Sequence, residues 1–193
     1  MSTVVNFMGF RERGRDVPTL VLIDLHQDRS SLAELGAIEP LANCRAALKH
    51  ARASGMRIAF TRQVAPPGNM LTSTSYPRWI EGLEPNRWDM IFDRSHPSCY
   101  ASAEFAEMVD GIGGKYVIAG QFGELSCLST VIEACHRDHR PMFLSDAMLS
   151  RSHGEISAGA MLKAAACILP LYAEAARTQS WILSTSRRVG ARV

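Results

Sequence analysis

The sequence predicts an α/β protein, in which a doubly wound, mostly parallel sheet lies between two layers of helices. Two observations support this three-layer, Rossmann-like fold class. Short apolar runs that end in a carboxylate or a glycine recur along the chain, and segments with helical features separate them. Strands that alternate with helices in this way are typical of βαβ units, whose parallel strands are covered on both faces.

Four apolar runs predict the strands of the sheet. Residues 19–24 (TLVLID) are apolar almost without interruption and end in the carboxylate of Asp24. Further strands are predicted at 57–61, 115–119 and 141–145. A continuous apolar run is typical of a strand that is buried on both faces of a parallel sheet.

The segments between these runs predict the helices. The first helix covers about 40–54 and ends at Gly55, a residue type that commonly follows a helix C-terminus. A last strand or short helix is predicted at 178–183. The remaining helices are predicted at 103–109, 124–136 and 155–169.

Two segments do not follow this alternation. Residues 1–18 are polar and basic, and they are predicted to form an N-terminal arm. Residues 63–99 contain five prolines and two tryptophans, which predicts a long irregular excursion. Because loops of this length in a compact domain are usually functional, we expect this excursion to select the substrate. The whole chain, residues 1–193, is expected to form a single domain.

Composition and charge exclude several classes of function. A net charge of +2 with no long basic run gives no reason to expect nucleic-acid binding. No apolar run is long enough to span a bilayer, and no signal peptide is visible. The five cysteines are odd in number and lack CxxC spacing, which indicates free thiols in a cytoplasmic protein. Neither a metal nor a cofactor is expected.

The segment 117–130 (VIAGQFGELSCLST) is the most informative part of the sequence. It predicts a buried strand, a glycine-bearing turn and the start of a helix that carries Ser126 and Cys127 in its first turn. The N-terminus of a helix offers unpaired N–H groups, so enzymes of this class often place a reacting group there. A thiol at this point would be activated, whereas a serine would need a neighbouring base.

Three landmarks resemble those of the isochorismatase-like hydrolase superfamily, also called the cysteine hydrolases. The run 22–26 (LIDLH) resembles the first-strand motif whose aspartate, here Asp24, acts as acid or base. The segment 92–100 (FDRSHPSCY) is similar to the one that supplies a catalytic lysine six residues before an aromatic residue. Residues 119–147 resemble the nucleophile turn, its helix and the next strand.

The chain departs from the pattern of the amidase members at three positions. The rule that locates their nucleophilic cysteine leads to Ser126, and Cys127 lies one residue later. Arg94 stands at the lysine position, and His26 stands where glutamine is usual. The true isochorismatases of the superfamily also lack the aligned cysteine, and some have a cysteine one residue later, as here.

The resemblance implies roles for these residues. Asp24 would transfer a proton, and Arg94 would fix its carboxylate or bind a substrate carboxylate. Ser126 or Cys127 would attack the substrate, depending on which side chain faces Asp24. The resemblance also implies a cis peptide bond between Phe122 and Gly123, with the amides of Gly123 and Ser126 forming an oxyanion hole.

The aromatic residues and His26 complete the candidate site. His26, Trp79 and Tyr100 are predicted to contact a small, planar substrate. The superfamily resemblance further implies a homo-oligomer.

Three functions remain open from the sequence. In the first, Asp24 protonates a vinyl ether, such as that of isochorismate, without a covalent intermediate. In the second, Cys127 attacks an amide or related C–N carbonyl and forms a thioester that water cleaves. In the third, the chain has lost turnover and acts as a binding or scaffold protein, since both the lysine and the cysteine positions have changed.

Overall fold

The computed structural model describes residues 18–27, 38–64 and 78–190 of the chain. The predicted N-terminal arm lies outside these residues, except for Pro18 at its end. The predicted excursion at 63–99 is described only in part, because residues 65–77 are also outside.

One six-stranded sheet forms the centre of the described chain, and every neighbouring pair of strands in it is parallel. Its strand order is β3-β2-β1-β4-β5-β6. This arrangement confirms the predicted α/β fold class. The strands are β1 (Thr19–Ile23), β2 (Ile58–Gln63), β3 (Met90–Arg94), β4 (Lys115–Gly120), β5 (Arg140–Met148) and β6 (Glu174–Ala176).

Five α-helices accompany the sheet in the described residues. Serine hydroxyls cap two of them: Ser102 accepts a hydrogen bond from the amide of Phe105, and Ser157 accepts one from Ala160. Gly55 follows the first helix with a φ of 63°, which glycine adopts without strain. The helices are α1 (Ile38–Ala53), α2 (Ala103–Gly111), α3 (Leu128–His136), α4 (Ala158–Ile168) and α5 (Thr178–Gly190).

Helices pack on both faces of the sheet, so the core has two halves. Leu20 and Leu22 of β1 face one half, which contains buried residues of α1 together with Trp181 of α5. Val21 and Ile23 face the other half, with buried residues of α2, α3 and α4. The alternation of β1 side chains between the two halves explains why its whole sequence is apolar.

Two strands and one helix differ from the prediction. The predicted excursion contains β3, an edge strand in which Ile91 and Asp93 are exposed, so its sequence lacks a continuous apolar run. β6 has only three residues and gives no periodic signal. The last element is the helix α5, which extends to Gly190 and so is longer than predicted.

The strand order reverses between β1 and β4, and the candidate residue Asp24 follows β1 at this point of the sheet. The chain leaves β1 towards β2 on one side and leaves β4 towards β5 on the other, which opens a crevice at the carboxyl ends of the strands. Gly120 ends β4 with a φ of 143°, and a Cβ atom there would lie 2.2 Å from the carbonyl oxygen of Ile23. Only glycine lets the two strand ends approach this closely.

No helix in the described ranges has both the length and the apolar character needed to cross a membrane.

Candidate active site

Asp24 lies directly after β1 and is fully buried. Its φ of 53° is in the left-handed region, which aspartate tolerates better than most residues. Oδ1 accepts a hydrogen bond from the backbone amide of Gln63 at 3.0 Å. Oδ2 accepts from the hydroxyl of Ser126 at 2.8 Å and also from Arg94. Both oxygens therefore act as acceptors, as those of an ionised carboxylate do.

Arg94 ends β3 and reaches across the end of β2 to Asp24. Its side chain is fully buried, and Nη2 forms an ion pair with Asp24 Oδ2 and donates to Ser126 Oγ at 3.1 Å. Nη1 donates to the carbonyl oxygen of His96 at 2.6 Å and to Gln63 Oε1 at 3.4 Å. The guanidinium thus holds the carboxylate and the hydroxyl together, and its charge compensates that of Asp24.

Ser126 lies on a π-helical turn, Gly123–Cys127, that leads into α3. Phe122 precedes the turn with a φ of 57°, and π-turns of this kind are frequent at functional sites. Thr130 fixes the turn, because its Oγ1 donates to the carbonyl oxygen of Ser126 at 2.7 Å and accepts the amide of Cys99 at 2.9 Å. The turn is thereby tied to the segment that follows β3 and Arg94.

The structure places Cys127 away from Asp24, so it does not bear out the idea that this thiol turns inward. Sγ is buried in the core between the sheet and α3 and lies 3.5 Å from the carbonyl oxygen of Gln121. Burial, reinforced by the charges of Cys99 and Asp24, raises the pKa of the Cys127 thiol well above its usual value. A thiol in this state is a poor nucleophile. One residue of helical rotation, roughly 100°, separates its direction from that of Ser126.

The predicted oxyanion hole also differs from the structure. No cis peptide bond occurs in residues 18–27, 38–64 and 78–190, so the prediction of one before Gly123 is wrong. The chain changes direction before Gly123 through the left-handed backbone conformation of Phe122 and not through a cis peptide bond. The amide of Gly123 donates to the carbonyl oxygen of Leu149 at 2.8 Å and is therefore already used within the fold. The guanidinium of Arg151 lies over the ring of Phe122, 4.7 Å from its centre.

His26 and Trp79, two of the residues predicted to contact the substrate, lie beside Asp24 or pair with the segment that follows it. His26 Nε2 is 3.8 Å from Asp24 Oδ1, and His26 pairs with Trp79 in an isolated antiparallel bridge. The Trp79 ring packs edge-on against Phe60, with 5.3 Å between ring centres. Trp79 therefore packs beside the segment that carries Asp24 and His26.

The contact of Tyr100 with the substrate stays a prediction, and the structure packs this side chain into the core on one face of the sheet. Its ring is buried beside Phe105, and its hydroxyl hydrogen-bonds to Tyr116 at 3.1 Å and to His139 at 2.7 Å. Tyr116 lies at the start of β4 in register with Thr19, whereas Asp24 follows the other end of β1. The hydroxyl of Tyr100 thus bonds to residues near the amino ends of β4 and β5 rather than to Asp24.

Gln63 is a site residue that the sequence did not reveal. It ends β2, its amide binds Asp24, and its side-chain oxygen accepts from Arg94, so it contacts both members of the ion pair. A backbone donor leaves no signal in the sequence. The prediction placed Gln63 at the start of the irregular excursion, two residues beyond the strand predicted at 57–61.

A metal centre is not formed by the residues that the structure describes. Within them, no three histidine, cysteine, aspartate or glutamate side chains come close enough together to hold an ion. The centre of the site is formed by three buried groups in mutual contact: the carboxylate of Asp24, the guanidinium of Arg94 and the hydroxyl of Ser126. Together they can bind and move a proton.

Comparisons with known proteins agree with the fold. The family model described as the isochorismatase domain matches residues 18–179. Among solved structures, an isochorismatase from Pseudomonas putida superimposes with a TM-score of 0.73 at 23% identity, covering 87% of this chain and 91% of that one. A cysteine hydrolase from Pseudomonas syringae pv. phaseolicola gives 0.75 at 17% identity, covering 93% and 95%.

An amidase shares the same fold. N-carbamoylsarcosine amidase from Thermoplasma acidophilum gives a TM-score of 0.66 at 16% identity, and the alignment covers 84% of this chain and 96% of that one. A comparison with curated proteins finds no match. Because the family model covers most of the chain, the protein belongs to the isochorismatase domain family. It is accordingly a hydrolase of the isochorismatase-like class.

Proposed function

We propose that the protein hydrolyses a small molecule by a mechanism that uses no thiol, with Asp24 as the group that moves the proton. The observation that carries this proposal is the hydrogen bond of 2.8 Å between Ser126 Oγ and Asp24 Oδ2, while the Cys127 sulfur is buried in the core. An oxygen, either of Ser126 or of a water molecule, is then the nearest nucleophile to the catalytic carboxylate.

The first candidate bond is a vinyl ether such as that of isochorismate, because its hydrolysis by a general acid needs no nucleophilic side chain. Asp24 in its acid form would give a proton to the terminal carbon of the C=C–O group, leaving an oxocarbenium ion. Water would add to that ion and return a proton to Asp24, and the resulting hemiketal would collapse to a ketone and an alcohol. Arg94 would stabilise the carboxylate formed in the first step, and Ser126 would orient it.

A C–N carbonyl bond is the second candidate, and a different feature favours it. Both oxygens of Asp24 accept hydrogen bonds at rest, which suits a base better than an acid. Asp24 would take the proton of Ser126 or water, the oxygen would attack the carbonyl carbon, and Asp24 would pass the proton to the leaving nitrogen. Arg94 donates to Ser126 Oγ and would stabilise the developing alkoxide.

The direction of the pH dependence separates the two candidates. Isochorismate and a panel of small amides and ureides are incubated with the wild-type chain and with the Asp24→Asn variant. Vinyl-ether hydrolysis that slows as pH rises, and that the variant loses, supports the first candidate. Amide hydrolysis that slows as pH falls supports the second. Activity that survives in the Asp24→Asn variant would contradict both.

Neither the family membership nor the site favours the alternative of a binding or scaffold protein. A carboxylate, a guanidinium and a hydroxyl buried in mutual contact retain the groups that proton transfer needs. We also propose that the protein is a homo-oligomer and that it resides in the cytoplasm. The second suggestion is supported by its five free cysteines, which suit a reducing compartment.

A further inference from the structure

The carboxylate of Asp24 at rest lacks the proton that acid catalysis needs. Its oxygens accept hydrogen bonds from the backbone amide of Gln63, the hydroxyl of Ser126 and the guanidinium of Arg94. A carboxyl group in its acid form would instead donate through one of these oxygens. A mechanism in which Asp24 gives a proton to the substrate therefore needs a second group that stores this proton.

His26 lies on the side of the carboxylate that Arg94 and Ser126 leave open. Its Nε2 atom is 3.8 Å from Asp24 Oδ1, whereas Arg94 and Ser126 both bind Oδ2. The side chain of His26 is 11% exposed and that of Asp24 is fully buried, so bulk water and salt screen their interaction little. Histidine is also the side chain that ordinarily gains and loses a proton near neutral pH.

The backbone of His26 is fixed beside Asp24. Its amide donates to the carbonyl oxygen of Asp24 at 2.7 Å, and its own carbonyl oxygen accepts from the side-chain amide of Gln121 at 3.2 Å. The bridge to Trp79 holds the same residue from the other side. A separation of 3.8 Å exceeds a hydrogen bond, but contacts between catalytic groups are often long in an unliganded enzyme and shorten when substrate binds.

The other groups that contact Asp24 cannot store the proton. The guanidinium of Arg94 does not lose a proton in proteins, and the hydroxyl of Ser126 releases one only to a base. Among the described residues, the ion-pair contacts of Asp24 are with Arg94 and His26. Of these two side chains, the imidazole of His26 is the one that can both give and recover a proton.

We propose that Asp24 and His26 work as a pair that holds one proton, which His26 stores between turnovers. The inference rests on the proposed function, because Asp24 remains the group that exchanges the proton with the substrate or water. It removes the conflict between a carboxylate that is ionised at rest and a reaction that begins with an acid. The two groups then titrate as one coupled unit.

In vinyl-ether hydrolysis, the imidazolium of His26 passes its Nε2 proton to Asp24, which gives a proton to the terminal carbon. The π electrons of the C=C bond form the new C–H bond and leave an oxocarbenium ion. Water adds to that ion and loses a proton to Asp24, which returns it to His26. The hydroxyl proton of the hemiketal moves to the ether oxygen as the C–O bond breaks. One water molecule is consumed, and the imidazolium and the carboxylate are restored.

In C–N hydrolysis the same pair acts in the opposite order. Asp24 takes the proton of the attacking oxygen, and the imidazolium of His26 gives its proton to the leaving nitrogen as the C–N bond breaks. Transfer from Asp24 to His26 then restores the pair. In both reactions kcat falls at alkaline pH, because the pair has then lost the stored proton.

The charged groups around His26 come from two directions. Asp24 is the carboxylate within 4 Å of its ring on its own segment. Behind the ring of Trp79, the guanidinium of Arg62 lies 5.7 Å from the ring centre and pairs with Asp93. Since Asp93 compensates the charge of Arg62, the protonation of His26 is expected to follow Asp24.

The test compares His26→Gln with the wild-type chain over a range of pH. Glutamine is polar and of similar length but cannot store a proton, so kcat should fall by about 100-fold, the usual size of a general acid–base contribution, with little change in KM. The alkaline limb of the kcat profile should move to lower pH. The matched control is His136→Gln, because His136 is exposed on α3, and it should leave the kcat profile unchanged.

Chemical rescue separates proton storage from a structural role. Added imidazole should raise kcat of His26→Ala by about tenfold, a part of the same contribution, and should not raise that of Asp24→Asn. An inactive Asp24→Asn variant beside a His26→Gln variant with nearly full kcat would overturn the inference and leave the proposed function intact. A change in KM alone, an unmoved alkaline limb or an absence of rescue would also overturn it. An Asp24→Asn variant that keeps its activity would remove the proposed function and the pair with it.

Nitrogen NMR of the isotope-labelled wild-type chain decides the question if neither His26 variant folds. At the pH of maximal kcat, both ring nitrogens of His26 are expected to carry a proton. A singly protonated ring at that pH would overturn the inference.

Discussion

The buried ion pair between Arg94 and Asp24 makes a quantitative prediction about stability. Replacing Arg94 by Met keeps the length of the side chain but leaves the carboxylate of Asp24 buried with no opposite charge bonded to it. Removing one partner of a buried pair typically costs about 3–5 kcal/mol of the free energy of unfolding. For a chain of this size, that loss lowers the melting temperature by roughly 6–20 °C.

Urea denaturation followed by circular dichroism measures the effect. Arg137→Met is the matched control, because Arg137 forms an exposed ion pair with Glu133 and its loss should cost about 1 kcal/mol or less. The double variant Asp24→Asn with Arg94→Met removes both charges and should recover much of the stability lost by Arg94→Met alone. Equal losses in Arg94→Met and Arg137→Met, or a double variant no more stable than Arg94→Met, would refute the reasoning.

Three further predictions concern single side chains of the site and the core. Ser126→Ala removes the hydroxyl that binds Asp24, which both proposed mechanisms use to orient Asp24 or to attack, and should lower kcat by about 100-fold. Unfolding studies should show a folded protein, and an unchanged kcat would contradict a role for this hydroxyl. Because burial raises the pKa of Cys127, iodoacetamide should label it far more slowly than the exposed Cys135 and Cys167 even at pH 9, as peptide mapping can measure; equal labelling would contradict this. Burial raises the pKa of Tyr100 to about 12 from 10.0, so the stability that its neutral form contributes is present below pH 10 and lost as pH rises towards 12. Tyr100→Phe should therefore lose less stability over this pH range than the wild-type chain, and an unchanged alkaline slope would argue against the assignment.

The central strands could be predicted from the sequence because burial on both faces leaves a continuous apolar run. The strands β1 and β4 show this pattern, and their predicted positions agree with the structure. β5 shows it only in its first half and extends to Met148, three residues beyond the predicted end. The edge strand β3 could not be found in this way, since two of its five side chains, Ile91 and Asp93, are exposed. Three residues, as in β6, are too few for any periodic signal.

The positions of the site residues along the chain were accessible from the sequence, but their directions were not. Motif spacing led to Ser126, yet whether Ser126 or Cys127 faces Asp24 depends on the backbone of one turn. Tyr100 was expected at the site as one of the aromatic residues that could line an apolar pocket. The structure packs its ring against Phe105 of α2, and its hydroxyl hydrogen-bonds to Tyr116 near the start of β4.

The contacts of Arg94 illustrate the same limit. From the sequence, the resemblance implied that Arg94 either fixes the carboxylate of Asp24 or binds a substrate carboxylate, and no residue pattern decided between the two. Arg94 ends β3 and Asp24 follows β1. The sheet order β3-β2-β1 leaves a single strand between them, which the long arginine side chain can cross. Since that order is a property of the whole fold, no local pattern could reveal it.

The most direct measurement compares two variants on whichever substrate the wild-type chain hydrolyses. Cys127→Ala should keep kcat within about threefold of the wild-type value, because its sulfur lies in the core and small changes there act only through packing. Asp24→Asn should reduce kcat by a factor of about 100 to 10,000, the usual contribution of a general acid or base. A Cys127→Ala variant without activity, or an Asp24→Asn variant with nearly full activity, would contradict a thiol-independent site centred on Asp24.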